Sequence, residues 1–86
     1  MSSQRTAIDG LPLTARQDDA IDDAVFHALQ TGAGQELRRY LETLAWKRLV
    51  PPGASATEYA YQEGIRWVVR VLEDRAERHA KRNQKG

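Results

Sequence analysis

Few residues in this chain have the type and spacing to do chemistry. Glu63 and Arg66 stand three apart, so on a helix they share a face and can pair. As a functional pair they would serve as a general acid or base beside a phosphate clamp. As a structural pair they would tie one helix to the end of another. No histidine, serine or second carboxylate is spaced to complete a catalytic set, so the structural reading is preferred. His27 and His79 fall on different expected helices without metal-ligand spacing, and each is expected to be a solitary surface or edge histidine. Asp18 with Asp22, or Asp19 with Asp23, has the Asp-x-x-x-Asp spacing of a carboxylate metal pair. No other ligand type is arranged nearby, and a solvated acidic face is expected. Gly32 and Gly34 do not make a phosphate loop. No strand precedes them, a third glycine is missing, and no Lys-Ser/Thr follows. Thr31 is instead expected to cap a helix, and Gly34 to let another helix come close. No catalytic residue, cofactor or metal is expected, and the chain does not read as an enzyme.

The elements that position these residues are helical. The 86 residues, 41% apolar with a formal net charge of +1, make one small domain. A chain this short hides only ~60% of its unfolded surface. It has no cysteine, hence no disulfide or thiolate chemistry. Residues 1–13 lack an apolar h-region and read as an extended arm punctuated by Gly10 and Pro12. No apolar run reaches the ~20 residues a membrane span needs. The chain is expected in the cytoplasm where it is made, with no membrane partner.

Thr14-Ala15-Arg16-Gln17 fits a capping box for a first helix. Its apolar stripe is Ile21, Ala24, Val25, Ala28 and Leu29, with Phe26 off centre and Asp22 and Asp23 outward. A second helix is expected from about Gly32 to Arg48. Its inner stripe is Leu37, Tyr40, Leu41, Leu44, Ala45 and Arg48, with Arg38, Arg39, Glu42 and Lys47 in solvent. Trp46 lies off that stripe, either covering the loop that follows or exposed, and an exposed Trp would mark an interface. Pro51-Pro52-Gly53 forces the main turn. Ser55-Ala56-Thr57-Glu58 is a second capping box, opening a third helix that can run to Lys81 or Arg82, ~39 Å for roughly 26 residues. Its last third is expected to project beyond the core. Tyr61, Ile65, Val68, Val69 and Leu72 mark its buried side, broadened by Trp67 and Val71. Such breadth calls for more than one neighbour. Gly64 costs ~1 kcal/mol in a helix relative to alanine, which suits a close helix crossing. The expected architecture is all-α: a three-helix bundle over 14–82 with a long C-terminal helix, an arm at 1–13 and a tail at 83–86.

Charge is polarised along the chain. Residues 1–30 hold Asp9, Asp18, Asp19, Asp22 and Asp23 against Arg5 and Arg16, while Arg75, Arg78, Lys81, Arg82 and Lys85 oppose Glu77 at the other end. Two solvated faces are the plainer reading. The sharper one is attraction between the ends, within a molecule or between subunits. Arg75, Arg78, Lys81 and Arg82 are also candidate phosphate contacts, giving salt-dependent affinity for nucleic acid without sequence preference.

Phe26-x-x-Leu29-x-Thr31-x-x-Gly34-x-x-x-x-x-Tyr40-Leu41, followed by Glu63-Gly64-x-Arg66, resembles the Bbp19-like family of small helical bacteriophage proteins. The resemblance spans roughly Val25 to Arg75. It implies a phage-encoded protein associated with other virion proteins, located in the virion or the host cytoplasm, and it carries over no catalytic residues. The functional expectation is a non-enzymatic structural or assembly protein acting by helix packing, in multiple copies. Gly34, Glu63, Gly64, Arg66, Trp67 and Trp46 would be its structural or interface residues. The alternatives are a nucleic-acid-associated protein using the basic tail and a phage inhibitor of a host protein.

Overall fold

A computed structural model of the chain describes residues 3–84. The chain is mostly helical, with α1 (Ala15–Gln30), α2 (Gly32–Trp46) and α3 (Ala56–Asn83), preceded by two short strands, β1 (Gln4–Thr6) and β2 (Pro12–Thr14). The expected extended arm is therefore a hairpin, from Gln4 onward. β1 and β2 pair antiparallel, with Gln4 opposite Thr14 and Thr6 opposite Pro12. Three-residue strands are too short for alternation to show in sequence. The turn was the available signal: Gly10 takes φ +83°, and the Asp9 carboxylate accepts from the Leu11 N–H at 3.0 Å.

The helix starts follow the capping logic. The Thr14 hydroxyl accepts from the Gln17 N–H, and the Gln17 side chain accepts from the Thr14 N–H. The Ser55 hydroxyl accepts from the Glu58 N–H at 3.2 Å. Thr31 serves two helices: its N–H and hydroxyl donate to the Ala28 carbonyl of α1, while its oxygen accepts from the Gly34 N–H at the start of α2. This one-residue link leaves no room at Gly34. A Cβ built there would lie 1.9 Å from the Ala28 carbonyl oxygen. The close approach at Gly34 is to the end of α1 in the same chain. At Gly64 the expected close crossing is not met within the chain, where a Cβ would find nothing within 4 Å.

α2 ends at Trp46, two residues before the expected Arg48, and Gly53 takes φ +84° in the turn that follows. α3 spans 28 residues and extends through Asn83, with Gln84 as its cap. The expected tail at 83–86 thus begins in helix, and its last two residues lie outside the described ones. α3 is the spine of the molecule, packing most extensively on α1 and next on α2. Its last third does not project. Arg75 and His79 are buried there, because the acidic side of α1 and the hairpin lie along it.

The apolar stripes need a second correction. Leu29, Ala45 and Val69 are buried as expected, but Leu37, Tyr40, Tyr61, Trp67 and Val68 are about half exposed or more. Outward-facing Asp22 was also expected, and it is fully buried. Periodicity places apolar residues on one face of a helix, but it does not supply an element to cover that face. Here α1 goes to the charged flank of α3, and among the described residues the Tyr61–Val68 flank is left about half exposed or more. The shape agrees with an uncovered face: the radius of gyration is 15.6 Å, against about 12 Å for a compact domain of this length.

Candidate functional site

The largest fully buried side chains are polar: Arg75, Gln62, Asp18 and Asp22. Asp18 and Asp22 stand one turn apart on α1 and face α3. Arg75 Nη1 donates to both carboxylates at 2.8 Å and to the Asp18 carbonyl at 3.1 Å, while Nη2 donates to Asp9 of the hairpin turn at 2.8 Å. Arg5 of β1 and Arg78 reach the other Asp18 oxygen at 3.1 and 3.2 Å, and Arg82 reaches Asp22 at 2.8 Å. The planar guanidinium suits this work, because it offers several donors in fixed directions. One residue thereby ties the hairpin, α1 and α3 together. Burial pushes the Asp18 pKa up, but hydrogen bonds from Arg75, Arg5 and Arg78 outweigh it and hold the carboxyl below its ordinary value. The Arg75 hydrogen bond, helped by the Leu11 N–H, lowers Asp9 as well.

This cluster corrects two expectations. The acidic face of α1 is not fully solvated, because attraction between the chain ends operates within the molecule. Three of the four candidate phosphate contacts are also engaged in the cluster, while Lys81 remains in solvent. Arg75 is inaccessible, Arg78 and Arg82 bind α1 carboxylates, and Lys81 pairs with Glu77 at 3.0 Å.

A second polar clamp closes α2 against α3. Gln62 Nε2 donates to the carbonyls of Leu44 and Ala45 at 2.8 and 3.0 Å, and Arg66 Nε donates to Ala45 at 2.8 Å. These side chains satisfy carbonyls that the end of α2 leaves without helical partners. Arg66 also pairs with Glu63, so this pair reaches a neighbouring helix end, as the structural reading has it. Gln62 carries no apolar signal that would mark it as buried in the sequence. Trp46, half exposed, has the guanidinium groups of Arg66 and Arg70 at 5.4 and 5.2 Å from its ring centroid. This geometry suits cation–π attraction.

Between α2 and α3 one contact is unfavourable. Glu73 faces Glu42, and Arg38 sits 3.8 Å from each carboxylate, too far for a hydrogen bond. Among the described residues, Glu73 Oε1 is buried without a hydrogen-bond partner. Burial and then Glu42 raise its pKa, so at neutral pH the ionised form works against folding. Glu73→Gln is therefore expected to raise the melting temperature by a few degrees at pH 7. The gain should vanish in acid, where Glu73 takes up a proton. Circular dichroism melts at the two pH values check this.

The open flank of α3 presents Tyr61, Gly64, Trp67, Val68 and Val71, with spacings of three and four that place them on one side. Tyr61 is 66% exposed and Trp67 47%. Leu37 and Tyr40 of α2 are exposed as well. Near Tyr61, the Leu49–Pro51 turn and Arg48 line a cavity of about 250 Å³. Large contiguous apolar patches on monomeric proteins mark interaction sites.

Asp23, His27 and His79 also come together, with ligand atoms within 4.8 Å of one another. The expectation of two solitary histidines is thus corrected, since α1 and α3 bring them together. The Asp23–His27 spacing of one helical turn was visible in sequence, but its meeting with His79 was not. The chain matches no family model, no curated protein and no solved structure. Among the described residues, no helix is long and apolar enough to cross a membrane.

Proposed function

We propose that the chain is a non-enzymatic assembly protein of a bacteriophage, acting by packing the open face of α3 against helices of other virion proteins or of further copies of itself. One observation carries the reading: charged and amide side chains fill the largest buried positions, while Tyr61, Trp67, Val68, Leu37 and Tyr40 are left outside. Buried charge holds the subunit's shape, and exposed aromatic surface is what association buries at the centre of an interface. A partner helix laid along Gly64 would complete a helical bundle over α3. The Thr31-x-x-Gly34 and Glu63-Gly64-x-Arg66 elements that resemble the Bbp19-like family supply the phage setting, in the virion or the host cytoplasm.

Mass spectrometry of purified particles tests the proposal. Peptides of this protein are expected in particles or in their assembly intermediates, and their absence from both would overturn it. A Tyr61→Ser, Trp67→Glu double variant is expected to cut incorporation at least about tenfold, since central aromatics dominate interface energies. Its melting curve should stay within several degrees of the parent's, because Tyr61 is mostly exposed and Trp67 half exposed.

The nucleic-acid alternative is less well supported. The guanidinium groups it would use are bound to Asp9, Asp18, Asp19 and Asp22. Gel-shift assays at physiological salt are expected to show no retention of DNA. Inhibition of a host protein would use the same open face, and capture of one host protein by the intact chain but not by the double variant would favour it.

A further inference from the structure

Beyond the charge cluster, α1 and α3 bring together three side chains that the assembly reading does not use. Asp23 and His27 lie one turn apart on α1, and His79 comes from α3. Asp23 Oδ1 is 3.4 Å from His27 Nδ1 and 3.6 Å from His79 Nε2. We infer that these three residues form a binding site for a divalent transition-metal ion of the zinc type.

Two imidazoles and one carboxylate are a donor set that zinc takes, whereas calcium and magnesium prefer oxygen ligands. The spacing fits as well. Metal–ligand bonds of ~2.0–2.1 Å in a tetrahedron set the ligand atoms about 3.4 Å apart. The two carboxylate–imidazole separations are already near that value. The third separation, between the imidazoles, closes by rotation of His27, whose side chain is 65% exposed.

His79 is the fixed member. It is buried, with the Phe26 ring 4.6 Å away and tilted against it, and the His27 ring 5.4 Å away edge-on. An ion would displace two hydrogen-bond partners. Asn83 Nδ2 lies 2.7 Å from His79 Nε2, and the Asp23 carbonyl lies 3.0 Å from His27 Nδ1. Asn83 is exposed near the helix end and free to turn to water. Arg82, three residues after His79 on α3, is directed to Asp22 and Asp19, which offset its charge. Asp23 and His27 are exposed, so a fourth position is open to water or to a partner's side chain. A bound ion would join α1 to α3 across more than 50 residues of sequence and stabilise the folded chain by mass action.

The test is titration of ZnCl₂ into the untagged full-length protein after chelator treatment, followed by calorimetry and by thermal melts. One equivalent should bind saturably. The melting temperature should rise by roughly 10 °C when zinc is a hundredfold above its dissociation constant, and MgCl₂ should have no such effect. His27→Gln, which removes a largely exposed ring, is expected to weaken zinc binding at least tenfold while leaving the metal-free melt near the parent's. Absence of zinc binding by the parent protein would overturn the proposal. Undiminished zinc affinity in a His27→Gln, Asp23→Asn double variant would also overturn it.

Discussion

Arg75→Met is expected to lower the melting temperature by about 15 °C or more and to leave the chain largely unfolded at physiological temperature. The side chain is 1% exposed and meets three carboxylates from two segments. Removing one member of a buried ion cluster typically costs about 3–5 kcal/mol; Asp18 and Asp22 would keep Arg5, Arg78 and Arg82 on their outer oxygens but lose the guanidinium between them. A small domain has only about 5–15 kcal/mol in total, and each kcal/mol corresponds to roughly 4–8 °C. Arg75→Lys should rescue little, since one ammonium group does not reproduce the guanidinium fork. Adding Asp22→Asn to Arg75→Met should recover part of the loss, and a double-mutant cycle on the melts measures that coupling. A variant that melted within a few degrees of the parent would remove Arg75 from its central place. The same dependence bears on the basic segment: deleting residues 75–86 should unfold the domain, so loss of any binding in that truncation would not identify a phosphate contact.

The cluster also sets the acid response. Asp9 and Asp18 titrate below the ordinary carboxyl value of 3.8 when folded. Their contribution is fully present above that value and is lost as pH falls through the lower folded values. Glu73 has the opposite sign, since its folded value is raised, and its penalty is relieved in acid. Denaturation below about pH 4 should therefore begin at the hairpin and the α1–α3 contact, and hydrogen exchange would locate it.

The second large effect is at Gly34. Gly34→Ala puts a methyl group 1.9 Å from the Ala28 carbonyl oxygen and 2.8 Å from its carbon. Those atoms are backbone, and the Thr31 hydroxyl behind them serves both helix caps. They have no flexible side chain to move away. Overpacking alone costs about 1–3 kcal/mol, and parting α1 from α2 would forfeit the Thr31 caps as well, each worth about 1 kcal/mol. A loss of about 3 kcal/mol in denaturant unfolding is expected. Gly64→Ala should do the reverse. Its Cβ meets nothing within 4 Å, and alanine is favoured over glycine in a helix by about 1 kcal/mol. The isolated chain should therefore gain stability. If a partner helix crosses at Gly64, that same substitution should weaken assembly, so stability and assembly would move in opposite directions.

What could be read in the sequence was local. Thr14, Thr31 and Ser55 announced the helix starts because a cap depends on residues three apart. Pro51-Pro52-Gly53 announced the turn for the same reason, and Glu63–Arg66 followed from helical spacing. What depended on distant partners was not legible. Periodicity placed Tyr61 and Val68 in a core, although both are about half exposed or more. Asp22 read as solvated because its partner Arg75 lies 53 positions away. The hairpin escaped because its strands are too short to show a period. The polarisation of charge between the two ends was the one long-range signal. It pointed to end-to-end attraction without naming Arg75 as the residue that receives it.

Site-specific photocrosslinking in phage-producing cells tests the assembly reading most directly. A photoreactive phenylalanine analogue would replace Trp67 on the open face or, as a control, exposed Arg16 near the start of α1. Adducts to particle proteins or to a second copy are expected from position 67 and not from position 16. Equal crosslinking from both positions, or none from position 67 in a folded protein, would contradict it.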